Sequence, residues 1–281
     1  MRLFALLSLV RWYNILAITI GLYLSACYLL NPNVSKWLVL TDYKVHLNIA
    51  ALAMLLMAGY IINAFYDFEK DLINKPRETL FIRLVNKRES LNLYTVFNFI
   101  AIILSFYVGW KVFFFNFSLA VILWMYSHKL RKLAVVGELS AATLTVAPFF
   151  SLGLYYWSVN YTVVLYVGFI FVNTLNRELI KKMTYYKGDL IYDFSSIPIK
   201  YGIRKAKLVL AFLMITSLVP VILLSPFVSD QYIAYYFIFS SLMILISLFC
   251  LQNASKAKDF ERINTLYKII LITAILSIPL V

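Results

Sequence analysis

The chain has 281 residues, of which 63% are hydrophobic and only 14% charged, against about 25% charged in an ordinary soluble domain. A mean hydropathy of +0.83 means more apolar surface than a soluble core buries, which excludes a soluble globular fold and makes lipid the solvent for much of the chain. The net charge of +13 is dispersed among apolar runs, a pattern of membrane topology first and of attraction to anionic lipid or substrate second, and it argues against nucleic-acid binding.

A bilayer core needs roughly 20 apolar residues per helix. Such runs lie near 11–30, 46–66, 92–111, 113–127, 138–157, 161–180, 206–226, 231–250 and 266–281. The expected fold is therefore all-α, a polytopic bundle of about nine transmembrane helices in a single domain over 1–281. The third and fourth runs are nearly continuous, broken only around Lys111 and Asn116. The first run is long and no small-residue cleavage site follows it, so a retained span is expected rather than a signal peptide. Cys27 and Cys250 both sit in apolar runs and are expected as small buried hydrophobes, not as a disulfide.

The basic residues orient the spans. With the N-terminus cytoplasmic, the inner stretches are 67–91, 128–137, 181–205 and 251–265. They collect Lys70, Lys75, Arg77, Arg83, Lys87, Arg88, Lys129, Arg131, Lys132 and most of the later lysines and arginines. The outer side receives only Lys36, Lys44 and Lys111. This split satisfies the positive-inside rule, places the C-terminus outside, and implies the plasma membrane if the source is bacterial.

Acidic residues are the scarce ones. Of thirteen, Asp42 and Asp230 fall on the outer side and the remainder on the inner side. Asn63, Asp67 and Asp71 are spaced i, i+4, i+8, which places them on one helical face a turn apart. Two carboxylates and an amide oxygen so stacked suit a hard divalent cation such as Mg²⁺. Spacing alone leaves a solvated helix end as the other reading. Asn74-Lys75-Pro76 then breaks the helix. Glu178, Lys182, Tyr185 and Asp189 follow i, i+4, i+7, i+11, again one face if the helix runs that far, with Gly188 as its expected end. A helix simply leaving the membrane with mixed charges is the alternative there. Tyr126-Ser127-His128-Lys129-Leu130-Arg131-Lys132 is read as a positive-inside anchor or as a phosphate contact. A transporter keeps ionisable groups near mid-span. These mid-spans are almost free of charge.

Taken together, these residues resemble the UbiA superfamily of intramembrane prenyltransferases, over nearly the whole chain. The family has nine transmembrane helices, an NxxxDxxxD motif after the second and another Asp motif after the sixth. The first motif stands here as Asn63, Asp67 and Asp71, with Pro76-Arg77 following. Tyr126-Ser127, Lys129 and Gly137 match the stretch between the motifs. Gly59-Tyr60 and Asn74-Lys75-Pro76 are similar to the geranylgeranylglyceryl phosphate geranylgeranyltransferase-like branch. Lys182 and Tyr185 depart from the pattern, standing where the family has aspartates. Asp193 replaces a glycine, and Glu138 a common asparagine.

What the resemblance implies is Mg²⁺-dependent transfer of a prenyl group from an allylic prenyl diphosphate to a lipophilic acceptor, an aromatic ring or a hydroxyl. It assigns Asp67, Asp71 and Asp189 to catalysis, Asn63, Asp67, Asp71, Glu178 and Asp189 to the metal, and Asn63, Arg77, Lys129, Lys182 and Tyr185 to substrate. These groups are expected to face one cytoplasmic-side cavity. The altered second motif leaves a non-catalytic lipid-binding or scaffold protein as the alternative, with Lys182 either meeting the diphosphate directly or marking a lost site.

Overall fold

A computed structural model describes residues 2–74, 76, 79, 85–228 and 232–280. Among them it is helical without strands, and nine helices are long and apolar enough to cross a membrane: Trp12–Leu29, Tyr43–Asn74, Lys87–Val108, Trp110–His128, Val136–Tyr156, Tyr161–Thr184, Ile203–Pro226, Ile233–Asn253 and Ala257–Leu280. They are the first to ninth spans below. The protein is a multi-pass integral membrane protein.

Several boundaries differ from those expected. The second span runs on to Asn74, two turns beyond the apolar run, so the Asn63–Asp71 motif belongs to the span itself. The third and ninth spans begin early, at Lys87 and Ala257, because polar first turns are capped. Glu89 accepts from the Asn86 N–H at 3.3 Å, and Asp259 from the Lys256 N–H at 2.9 Å. The third and fourth spans part at Gly109, not at Lys111 and Asn116. Its φ of 156° and ψ of 159° lie in a region that favours glycine. Asn116 is instead fully buried inside the fourth span. The cysteines form no disulfide, as expected; Cys27 is buried, but Cys250 is exposed on its helix surface.

By its packing the chain divides into two compact units, Met1–Cys27 with Asn31–Leu130 and Ala147–Ser158, and Tyr28–Leu30 with Arg131–Val146 and Val159–Val281. In the first unit, the second span packs on the first, third and fourth. It buries Ala51, Leu52, Leu55, Ala58 and Ile61 almost completely. At Gly59 a Cβ would come within 3.1 Å of the Leu123 side chain, so glycine permits the close approach of the second and fourth spans. A polar knot lies at the centre of this packing. Asn116 Nδ2 donates to Ser105 Oγ at 2.9 Å and to Asn48 Oδ1 at 3.3 Å, while Ser151 Oγ donates to Asn116 Oδ1 at 2.9 Å. Polar groups cut off from water in a membrane protein satisfy one another across helices in this way.

In the second unit, the sixth span packs on the seventh and ninth, and the eighth on the ninth. Its core is aromatic. Phe169 meets Phe237 and Tyr236 edge-on at 5.7 and 6.1 Å. The Tyr236 hydroxyl donates to the Ile270 carbonyl at 3.0 Å, and the buried Tyr166 hydroxyl to that of Ala274. On both units, large side chains such as Phe99, Phe106, Trp110, Phe212 and Phe249 point outward. In water such surfaces would aggregate; in a bilayer they face a solvent as apolar as themselves.

Candidate functional site

The first acidic station lies in the first unit. Asn63, Asp67 and Asp71 occupy successive turns of one continuous helix, as their spacing predicts. Asp67 is 3% exposed and Asp71 is also buried. A buried carboxylate needs a counter-charge, and one is supplied locally: Lys70 Nζ lies 3.6 Å from Asp67 Oδ1, with both side chains buried. Lys70 was absent from the residues singled out in the sequence, although its i+3 position was a signal for it. Beside this station Tyr66 packs against His128, ring centroids 5.4 Å apart, and His128 stacks nearly parallel on Trp124. The histidine is held as a flat packing element. Lys129 follows as the exposed C-cap of the fourth span. Arg77 falls outside the described residues.

The second station lies in the second unit and departs from the expected geometry. The sixth span ends at Thr184, not at Gly188. Tyr185 turns the chain at φ −100° and ψ 20°, and a short helix, Tyr186–Ile191, contains Gly188 and Asp189. Glu178, Lys182, Tyr185 and Asp189 therefore do not share one straight helical face. In an unbroken helix Lys182 and Asp189 would be about 10.5 Å apart along the axis. The bend instead brings Lys182 Nζ to 3.4 Å from Asp189 Oδ2, and Asp189 is 1% exposed. One turn earlier, Glu178 is hydrogen-bonded and ion-paired to Lys181.

Further groups stand around this pair. Lys182 and Lys132 lie over the ring of Phe194, 5.2 and 5.8 Å from its centroid, a cation–π arrangement. The Ser195 N–H donates to the Lys132 carbonyl at 2.8 Å, fixing this loop. Gly137 packs so closely on the Arg131 carbonyl that a Cβ would lie 2.9 Å from its oxygen. Glu138, noted only as a departure from the family pattern, is 1% exposed. One of its oxygens accepts from the Ile197 N–H at 3.4 Å; the other has no hydrogen-bond partner among the described residues. Asp193 adopts φ 55°. This is a conformation that glycine takes freely and that aspartate meets better than most residues.

Nine spans among the described residues, with two buried acidic stations, define a polytopic membrane protein. The chain belongs to the UbiA prenyltransferase family, whose model matches residues 14–271. It is accordingly a prenyltransferase, not the scaffold that the altered second motif left open. It is 26% identical over 286 residues to the digeranylgeranylglyceryl phosphate synthase of Sulfurisphaera tokodaii, covering 95% of this chain and 96% of that protein. Among solved structures it is similar to a UbiA homologue from Aeropyrum pernix K1, with TM-score 0.72, 17% identity and coverage of 94% and 98%. It is also similar to a UbiA homologue from Archaeoglobus fulgidus bound to GPP and Mg²⁺, with TM-score 0.69, 16% identity and coverage of 98% and 99%. These structures share the fold.

The first station fits a divalent cation. It offers two buried carboxylates and an amide oxygen on adjacent turns, and Mg²⁺ is commonly held by one or two carboxylates plus phosphate oxygens and water. Among the described residues no three His, Cys, Asp or Glu side chains cluster as a closed metal cage. The donor set therefore suits a metal that shares its shell with substrate.

Proposed function

We propose that this prenyltransferase transfers a prenyl group from an allylic prenyl diphosphate to the hydroxyl of a lipophilic acceptor, in a Mg²⁺-dependent reaction that uses residues 1–281 as one catalytic domain. The observation that carries the reading is the one-face array of Asn63, Asp67 and Asp71, its two carboxylates buried, in a chain of this family. The names of its relatives support a hydroxyl acceptor of the glyceryl phosphate type over an aromatic ring.

In this reading Asn63, Asp67 and Asp71 hold Mg²⁺, which when bound neutralises charge on the diphosphate leaving group. Arg77, Lys129, Lys182 and Tyr185 are the substrate residues of this reading, suited to phosphate oxygens through charge-assisted or hydroxyl hydrogen bonds. The allylic C–O bond breaks and diphosphate departs. The acceptor oxygen forms the new C–O bond to the allylic carbon and releases its proton. Exclusion of water by the surrounding apolar spans protects the electron-poor allylic fragment. The excess of Lys and Arg in the stretches 67–91, 128–137, 181–205 and 251–265 supports a cytoplasmic N-terminus and, with it, chemistry at the cytoplasmic face.

The test is purified protein in lipid with Mg²⁺, labelled geranylgeranyl diphosphate, and a panel of prenylglyceryl phosphate and phenolic acceptors. A labelled ether formed with the glyceryl phosphate acceptor, and lost on chelation, is expected. Transfer only to phenolic rings would overturn the acceptor assignment. Absence of transfer to either class would overturn the reaction.

A further inference from the structure

We infer that the second acidic station takes no divalent cation, and that Lys182, paired with Asp189, is a fixed cation in its place. The inference rests on the proposed reaction for its substrate, a prenyl diphosphate, and concerns this station alone.

Both acids that the family resemblance assigns to a metal here are already engaged by lysines. Glu178 is ion-paired to Lys181, and Asp189 Oδ2 is 3.4 Å from Lys182 Nζ. The first station keeps two carboxylates and an amide beside its lysine, whereas here Lys182 and Tyr185 stand where the family pattern has aspartates, so Asp189 has an ammonium group beside it in place of further carboxylate ligands. The pair is also built into the backbone. It depends on the turn at Tyr185, which folds the helix Tyr186–Ile191 back toward the sixth span. Lys182 and Lys132 both lie against the Phe194 ring, so two ammonium groups gather around one aromatic side chain. A concentration of positive charge of this kind suits diphosphate oxygens and not a metal ion.

The ion pair with Asp189 and the Phe194 ring hold Lys182 in place, and an ammonium group has three donors, enough to meet an anion as well.

The experiment counts metal ions. Protein in zwitterionic nanodiscs is titrated with Mn²⁺ in the presence of inorganic pyrophosphate, with bound metal read by electron paramagnetic resonance and pyrophosphate affinity by calorimetry. Wild type is expected to bind one Mn²⁺. Lys182→Ala should leave that count at one and weaken pyrophosphate roughly ten- to a hundredfold. Lys182→Asp with Tyr185→Asp should raise the count to two. Two Mn²⁺ in wild type, one of them lost in Asp189→Asn, would overturn the inference, as would unchanged pyrophosphate affinity in Lys182→Ala. If wild type binds no Mn²⁺ at all, the first-motif metal site fails, while the Lys182→Ala affinity still decides the fixed-cation role. Should the double variant fail to fold, the wild-type count and Lys182→Ala suffice.

Discussion

Lys70 lies 3.6 Å from Asp67 one helical turn away, and both side chains are 5% exposed or less. A buried carboxylate of the first motif thus carries its own counter-ion. Removing one member of a buried pair commonly costs about 3–5 kcal/mol, because the other charge is left stranded. Lys70→Ala is expected to lower the thermal midpoint strongly in metal-free protein. A divalent cation at Asp67 and Asp71 would supply the missing charge, so Mg²⁺ should recover much of the loss. Thermal unfolding in lipid with and without Mg²⁺ reads this directly. Equal destabilisation under both conditions would mean that the metal does not bind at these carboxylates.

Asp67→Ala and Asp71→Ala are each expected to abolish transfer, while Asp42→Ala retains it. Asp42 accepts a hydrogen bond from the Tyr155 hydroxyl, in neither motif. Its loss should cost about 1 kcal/mol of stability with little effect on kcat. Product formation and unfolding midpoints, measured on the same preparations, separate the two kinds of effect. Full activity in both motif variants would refute the metal role.

Asn116 ties three other helices through Asn48, Ser105 and Ser151, all of them wholly buried. Asn116→Ala leaves several polar groups without their partner in an interior that water does not reach. Interhelical hydrogen bonds in membranes average about 0.6 kcal/mol each, and the orphaned groups add to that. A destabilisation of about 1–3 kcal/mol is expected, with donor affinity unchanged. Denaturant unfolding in detergent micelles, beside pyrophosphate calorimetry, is the check.

Asp193 sits at φ 55° on the exposed side of the second-motif loop. If its role is to satisfy the backbone, Asp193→Gly keeps full activity. Asp193→Ala should then cost about 1 kcal/mol, since alanine tolerates this conformation poorly. A carboxylate ligand would behave in the opposite way, losing activity equally in both variants. Initial rates across a Mg²⁺ titration distinguish the two.

Apolar run length and residue spacing carried much of the architecture. Nine runs became nine spans among the described residues, and Asn63, Asp67 and Asp71 fall on one continuous helix. Each of these is a local property: hydropathy over some twenty residues, or a 3.6-residue period within a single helix. The expected break at Asn74-Lys75-Pro76 falls on Lys75, outside the described residues, and Pro76 itself is helical. Where polar residues interrupted a run, the same reasoning misplaced the boundary. Asn116 resembles a break in a list of residues but is an interior hydrogen-bond hub once neighbouring helices surround it.

The second motif shows the division most sharply. Its composition by itself determined that two expected aspartates are a lysine and a tyrosine, and that a glycine and an asparagine are acids. Whether those changes left a damaged metal site or a rebuilt one depended on distances that composition does not contain. Only the tertiary structure decided that the helix turns at Tyr185, that Lys182 then reaches Asp189, that Asp193 occupies a glycine-like conformation, and that Glu138 is buried behind Ile197. The physical reason is that burial and charge pairing are set by which backbone segments meet. A turn of one residue converts a separation of two helical turns into an ion pair.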